Sequence, residues 1–167
     1  MDQETKNKIE KNRRETSLKA MNFNRFLLVR YMSALFFFSN LYWFFTLVMS
    51  RSLALILPLV LMIVILISVA EQVRMYGNHS NQAKYTYYCF LSISTINLLL
   101  IPIILFTPLF QYLYPFIVDQ SASRLFVVGI LVCGLCISGF ILFRLHNIRH
   151  DKDWHYKRLQ RFENAMN

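Results

Sequence analysis

Residues 52–70 read SLALILPLVLMIVILISVA, nineteen consecutive residues without a charged side chain, bounded by Arg51 and Glu71. A helix rises about 1.5 Å per residue, so about 20 apolar residues cross a hydrocarbon core of about 30 Å. The apolar side chains run all round the helix instead of along one side, which is the pattern of a helix surrounded by lipid. This stretch therefore predicts a transmembrane helix.

Three further uncharged windows lie at residues 31–50, 85–118 and 125–143. The first and the last have the length of one crossing each. The middle window has thirty-four residues, which would span about 51 Å as a straight helix. It also contains three prolines, which remove backbone donors and favour a kink or a helix end. We therefore predict a crossing over 85–106, followed by an aromatic segment over 107–118 in the membrane interface.

The composition agrees with this pattern. Hydrophobic residues make up 56% of the 167 residues and charged residues 16%, against about 25% charged in soluble domains. A soluble domain of this size buries only ~70% of the surface of its unfolded chain, too little for so apolar a sequence. The sequence thus predicts a single-domain, all-α membrane protein that forms a four-transmembrane-helix bundle.

The basic residues predict the orientation. Residues 1–30 carry eight Lys and Arg, the loop after the second crossing two, and residues 144–167 six, whereas the other two loops carry one each. One side of the predicted membrane thus has sixteen basic residues and the other has two. The positive-inside rule places the side with more basic residues in the cytoplasm, so we expect both termini there, in a multi-pass protein of the cell membrane. The chain then divides into a basic N-terminal segment, a transmembrane domain over 31–143 and a basic tail.

Both ends are candidates for contact with anionic headgroups. The N-terminal segment could form a charged helix or stay loose until a partner or lipid orders it. The tail predicts a cytoplasmic basic amphipathic helix on the membrane surface, with a solvated extension of the fourth crossing as the alternative. We do not expect nucleic-acid binding, because topology alone accounts for the positive charge. The basic surface residues of the tail are Arg149, Lys152, Lys157, Arg158 and Arg161.

Two amides interrupt the apolar crossings, Asn40 in the first and Asn97 in the third. Both should lie near the middle of the membrane, so we predict an intramembrane hydrogen bond between them. The alternative is a polar lining for a substrate path, together with Ser92, Ser94 and Thr95.

The fourth crossing contains Cys133-Gly-Leu-Cys136, a C-x-x-C pair of the kind used in thiol redox chemistry. Membrane oxidoreductases of this type need a second cysteine pair, and the one remaining cysteine is Cys89. We therefore favour a role in packing, since small residues let helices approach closely in lipid. The predicted packing face consists of Gly129, Cys133, Gly134, Ser138 and Gly139.

Acidic and basic side chains and histidine are absent from the four windows, and Glu71 at the end of the second could pair with Arg74 or Lys84. His146, His150 and His155 could ligate a metal, but they lie on a basic tail with no strict motif. We therefore expect no enzyme activity, no cofactor and no metal.

The pattern favours a small accessory, regulatory or immunity-type subunit that acts through helix–helix contacts with another membrane protein or with itself. One alternative is a small transporter or channel for a neutral or lipid-like substrate. A second is a thiol oxidoreductase that uses Cys133 and Cys136.

Overall fold

The computed structural model describes residues 3–75 and 83–150, which form helices and connecting turns, without a strand among them. Four of these helices are long and apolar enough to cross a membrane. This confirms the predicted all-helical architecture with four candidate crossings. The elements are α1 (Gln3–Arg25), α2 (Leu27–Met49), a 3₁₀ turn (Leu53–Leu55), α3 (Ile56–Arg74), α4 (Lys84–Phe106), α5 (Phe110–Leu113) and α6 (Ser121–Arg149).

The helices extend beyond the uncharged windows at several ends. Helix α2 begins before Arg30, and α6 includes both Arg124 and Arg144. A basic residue near a helix end does not interrupt the helix, because its long side chain can carry the charge toward the interface. Helix α4 ends at Phe106, the predicted position, because Thr107 is extended and a residue before proline disfavours helical geometry.

The four long helices pack in the order α2, α3, α4, α6, with the most extensive contact between α4 and α6. We call the end of the bundle where α2 and α4 begin and α3 and α6 end the termini end, and the opposite end the cap end. Each end has its own buried apolar cluster. The cluster at the termini end includes Phe36, Ile65, Phe90 and Ile141. The cluster at the cap end consists of Leu100, Ile104, Phe110, Tyr114, Val127 and Leu131.

The outer surface of the long helices is apolar. Large side chains such as Phe38, Leu98 and Phe126 are more than 60% exposed. Monomeric soluble proteins rarely expose such continuous apolar surface, whereas hydrocarbon accepts it. The outside of the bundle is therefore apolar, which fits four membrane crossings.

The basic N-terminal segment forms helix α1, one of the two states that the sequence allowed. Its described side chains are exposed, and Lys8 forms an ion pair of 2.9 Å with Glu4 one turn away. Phe26, between α1 and α2, is buried. Of the predicted tail over 144–167, residues 144–149 continue α6, with Leu145 and Ile148 buried and Arg149 exposed, and residues 151–167 lie outside the described residues.

Candidate functional site

At the termini end, the carboxylate of Glu71 in α3 accepts three hydrogen bonds from the start of α4. The backbone N–H of Tyr85 donates to Oε1 at 3.1 Å, and the N–H and hydroxyl of Thr86 donate to Oε2 at 2.7 and 2.8 Å. The first N–H groups of a helix have no partner within it and carry partial positive charge. Glu71 therefore caps α4, instead of making the ion pair with Arg74 or Lys84 that the sequence suggested.

The hydrogen bonds continue from Thr86 across three helices. The Ser68 hydroxyl donates to Thr86 Oγ1 at 3.1 Å, and the Gln72 amide Nε2 donates to Ser68 and Ser33 at 3.1 and 3.2 Å. Together with Glu71, these four residues form what we call the glutamate network. All four are at least 99% buried. Gln72 Oε1 is buried without a hydrogen-bond partner among the described residues. The network joins α2, α3 and α4 where hydrocarbon would leave each group unsatisfied.

In the middle of the bundle, Gly134 of α6 lies against Asn97 of α4. A Cβ built on Gly134 would lie 2.7 Å from Asn97 Nδ2 and 3.8 Å from a ring carbon of Phe36. The amide of Asn40 donates to the carbonyl of Phe36 in its own helix at 2.8 Å. Within residues 3–75 and 83–150, the predicted bond between Asn40 and Asn97 is not formed. The structure instead brings Asn97 to the one glycine that α6 presents to it.

The close contact between α4 and α6 continues one helical turn further toward the termini end. Ser138 is fully buried, and its hydroxyl lies 2.7 Å from that of Ser94. Ser92 and Thr95 donate to carbonyls of their own helix, at 2.9 Å each. Thr95 is exposed on the outside of the bundle. The hydroxyls that could have lined a path are therefore used in helix contacts or in local bonds.

The predicted small-residue face of α6 divides into two sides. Gly134 and Ser138 face α4, whereas Gly129, Cys133 and Gly139 are exposed. A Cβ on Gly129 or Gly139 would meet nothing within 4 Å. Cys136 is exposed as well, and all cysteines are free thiols.

At the cap end, Arg124 of α6 caps the other terminus of α4. Its Nη1 donates to the carbonyl of Ile104 at 3.1 Å and reaches those of Leu105 and Thr107 at 3.4 Å. Pro108 has no N–H to offer the Ile104 carbonyl four residues earlier, and Arg124 supplies the missing donor.

The other nitrogens of Arg124 bind the carboxylate of Asp119, with distances of 2.7 and 2.8 Å. This hydrogen bonding to Arg124 holds the pKa of Asp119 below its ordinary value. A cavity of about 490 Å³ opens beside the pair, between Leu105 and Leu125. Arg124 also lies over the ring of Phe110, 5.5 Å from its centroid.

The predicted interfacial segment folds over the cap end and binds α2 and the turn that follows it. The indole N–H of Trp43 donates to the Leu113 carbonyl at 3.1 Å, and the Ser52 hydroxyl donates to the Tyr112 carbonyl at 2.9 Å. The rings of Trp43 and Tyr114 stack with centroids 5.3 Å apart. Burial raises the pKa of Tyr114. Phe110 and Tyr114 of this segment thus belong to the packed core, whereas Tyr112, Phe116 and Val118 are exposed.

Sequence reasoning missed both caps of α4 and the glutamate network. A signal was available, since Ser68 and Gln72 are four residues apart beside Glu71 and share one helix face. Thr86 then follows at the start of the next crossing. The bonds from Arg124 to the carbonyls at the end of α4 had no such signal, because backbone acceptors leave no trace in a sequence.

Among the described residues, no group of three His, Cys, Asp or Glu side chains could hold a metal ion. The rings of His146 and His150 lie 4.5 Å apart at the end of α6. Lys152, Lys157, Arg158 and Arg161 lie outside the described residues.

Comparison with known proteins adds no relative: no protein family, curated protein or solved structure matches this chain.

Proposed function

We propose that the protein is a membrane accessory, regulatory or immunity-type subunit that acts through helix–helix contacts. The observation that carries the proposal is the use of the bundle's polar groups. Asn40, Ser94 and the glutamate network form hydrogen bonds within the chain. Such a centre stabilises one packed arrangement of helices, which suits a subunit that presents a surface to a partner.

The surface that we propose for the partner is the exposed side of α6. Gly129, Cys133 and Cys136 follow each other at steps of four and three, and each is exposed. We call these three residues the contact face. Small side chains let another helix approach closely, so that dispersion contacts and weak hydrogen bonds can form in lipid. The α4 side of the same helix already uses Gly134 in this way.

The proposed orientation has both termini in the cytoplasm, in the cell membrane. Helix α1 and Arg149 would then lie beside anionic headgroups, which attract Lys and Arg by about 1 kcal/mol for each residue near the surface. The partner would be another membrane protein or a second copy of the chain.

A pull-down of the tagged chain from mild detergent tests the proposal, with partner identification by mass spectrometry. Gly129→Leu should release the partner because it fills the contact face, while thermal stability stays unchanged. Gly139→Leu is the matched control, since Gly139 is equally open but lies outside the contact face. A chain that purifies alone, or a partner retained by both variants, contradicts the proposal.

Cys133 and Cys136 are free thiols, so the oxidoreductase alternative can be tested in the same pull-down. The double variant Cys133→Ser/Cys136→Ser should keep the partner, because serine is also small. Loss of a thiol-dependent activity together with full partner retention would favour redox chemistry instead.

A further inference from the structure

The cavity at the cap end lies where α4 ends and α6 begins. Its volume of about 490 Å³ falls within the range of small-molecule sites, about 300–1,000 Å³. Because the ends of two candidate crossings meet here, the cavity lies at the level of the lipid headgroups. The lining residues are Leu105, Asp119, Gln120, Ser121, Arg124 and Leu125.

The two leucines of the lining lie on the outer surface of the bundle. Leu105 is 38% exposed and Leu125 is 64% exposed, and each precedes a phenylalanine that is more exposed still. This is the apolar surface that hydrocarbon covers. The cavity thus joins a polar lining to the acyl-chain region, so a molecule that fills it should be amphipathic.

The charged groups of the lining form a dipole that is fixed in place. Nη1 of Arg124 is bound to the end of α4, and its Nε and Nη2 bind the two oxygens of Asp119. Among the described residues, Nη2 makes this one hydrogen bond, so it has a second N–H to donate. Each Asp119 oxygen accepts one bond from Arg124, whereas a carboxylate can accept about four. The pair can therefore bind one further acceptor and one further donor.

We propose that this cavity binds the headgroup of a lipid that carries both a phosphate and a primary ammonium group, as phosphatidylethanolamine does. The phosphate accepts a hydrogen bond from Arg124, and the ammonium donates to Asp119. The acyl chains lie against Leu105 and Leu125. None of the lining residues belongs to the contact face, so the site does not rest on the partner proposed for α6.

Charge complementarity favours this headgroup over two common ones. The Asp119–Arg124 pair is neutral overall, and a neutral zwitterion can lie antiparallel to it. An anionic headgroup would place a second negative charge beside Asp119. A trimethylammonium group, as in phosphatidylcholine, has no N–H to donate to the carboxylate.

Native mass spectrometry of the whole chain tests the site. The chain is released from nanodiscs that contain equal amounts of phosphatidylethanolamine, phosphatidylcholine and phosphatidylglycerol with identical acyl chains. Bound phosphatidylethanolamine should exceed each of the others by about two- to fivefold, the range expected of a partly exposed ion pair. Equal retention of the three lipids, or a preference for another of them, contradicts the proposal.

Asp119→Asn should reverse the preference in favour of phosphatidylglycerol. The substitution removes the acceptor of the ammonium group and leaves the charge of Arg124 unbalanced beside the cavity. A merely structural role of Asp119 would not change which lipid is retained. An unchanged preference for phosphatidylethanolamine in this variant overturns the assignment.

Leu125→Trp fills the cavity and leaves the charged pair in place, so it decides even if Asp119→Asn does not fold. Bound phosphatidylethanolamine should fall to the level of phosphatidylcholine. Phe126→Trp is the matched control, because Phe126 is equally exposed on the same turn of α6 but does not line the cavity. Equal retention by these two variants would place the lipid elsewhere and contradict the proposal.

Water-soluble glycerophosphoethanolamine distinguishes a lipid from a soluble zwitterion as the source of the headgroup. At a concentration equal to that of the lipid it should not displace bound phosphatidylethanolamine, because it lacks the acyl chains. Full displacement would mean that the leucines contribute nothing and that the site is not a lipid site.

Discussion

The two ends of α4 are capped by opposite charges from neighbouring helices. At the termini end, the Glu71 carboxylate of α3 accepts from the first N–H groups of α4. At the cap end, the Arg124 guanidinium of α6 donates to the last carbonyls. Each charge has the sign that the helix dipole favours at that terminus. Both charged side chains thus stabilise the ends of α4, which accounts for their presence in an otherwise apolar bundle.

The surroundings of the two caps differ. Glu71 is hydrogen-bonded to a network that includes the fully buried Ser68, Gln72 and Thr86. A group that loses its partner there cannot form a hydrogen bond with water instead. Arg124 and Asp119 form a more exposed pair, with side chains 23% and 36% exposed. We therefore expect substitutions at the termini end to lower the free energy of unfolding more than substitutions at the cap end.

The largest expected effect is that of Glu71→Leu. It leaves the N–H of Thr86 without its acceptor and leaves the buried Thr86 hydroxyl only the Ser68 carbonyl at 3.4 Å. It also removes a helix cap, so the free energy of unfolding should fall by about 2–3 kcal/mol. Denaturant unfolding in mixed micelles measures it. The control Glu4→Leu breaks the exposed pair with Lys8 in α1 and should cost under about 0.5 kcal/mol. Equal effects of the two variants would show that the cap contributes nothing beyond a surface charge.

A smaller effect is expected from Trp43→Phe at the cap end. Phenylalanine keeps an aromatic ring against Tyr114 but loses the bond to the Leu113 carbonyl, which should cost about 1 kcal/mol. Tyr42→Phe is the matched control, because Tyr42 is 70% exposed. A Trp43→Phe protein as stable as the control would mean that the segment over the cap end is not held by α2. The same unfolding measurement decides it.

The smallest expected effect is a change in thermal stability at acidic pH. Because the bond to Arg124 lowers the pKa of Asp119 below its ordinary 3.8, the pair stabilises the fold above that pH. This stability is lost as the pH falls through the lowered pKa. The thermal stability of the natural chain should therefore drop below pH 3.8 more than that of Asp119→Asn. Parallel curves for the two proteins would contradict the pairing.

Much of the architecture could be predicted from hydrophobicity alone. The window over 52–70 and its three companions are long and apolar enough that hydrocarbon leaves little choice but a helix. The length of the third window and its three prolines predicted that the crossing ends near Phe106. The candidate site was less predictable. The sequence singled out Asn40 and Asn97 as a hydrogen-bonded pair. Which partner each amide finds depends on how the helices are rotated, and helices that are apolar on all sides do not reveal their rotation.

The opening stretch illustrates the same division. By itself, the sequence determined that residues 52–70 belong to a crossing, because length and apolarity are properties of the segment alone. Only the tertiary structure decided that Ser68 and Glu71 near its end bind Thr86 of the next helix. It likewise decided which glycines of α6 face inward and which face lipid. Such pairings depend on how the helices are rotated and set in depth against one another, and small directional contacts between helices decide that.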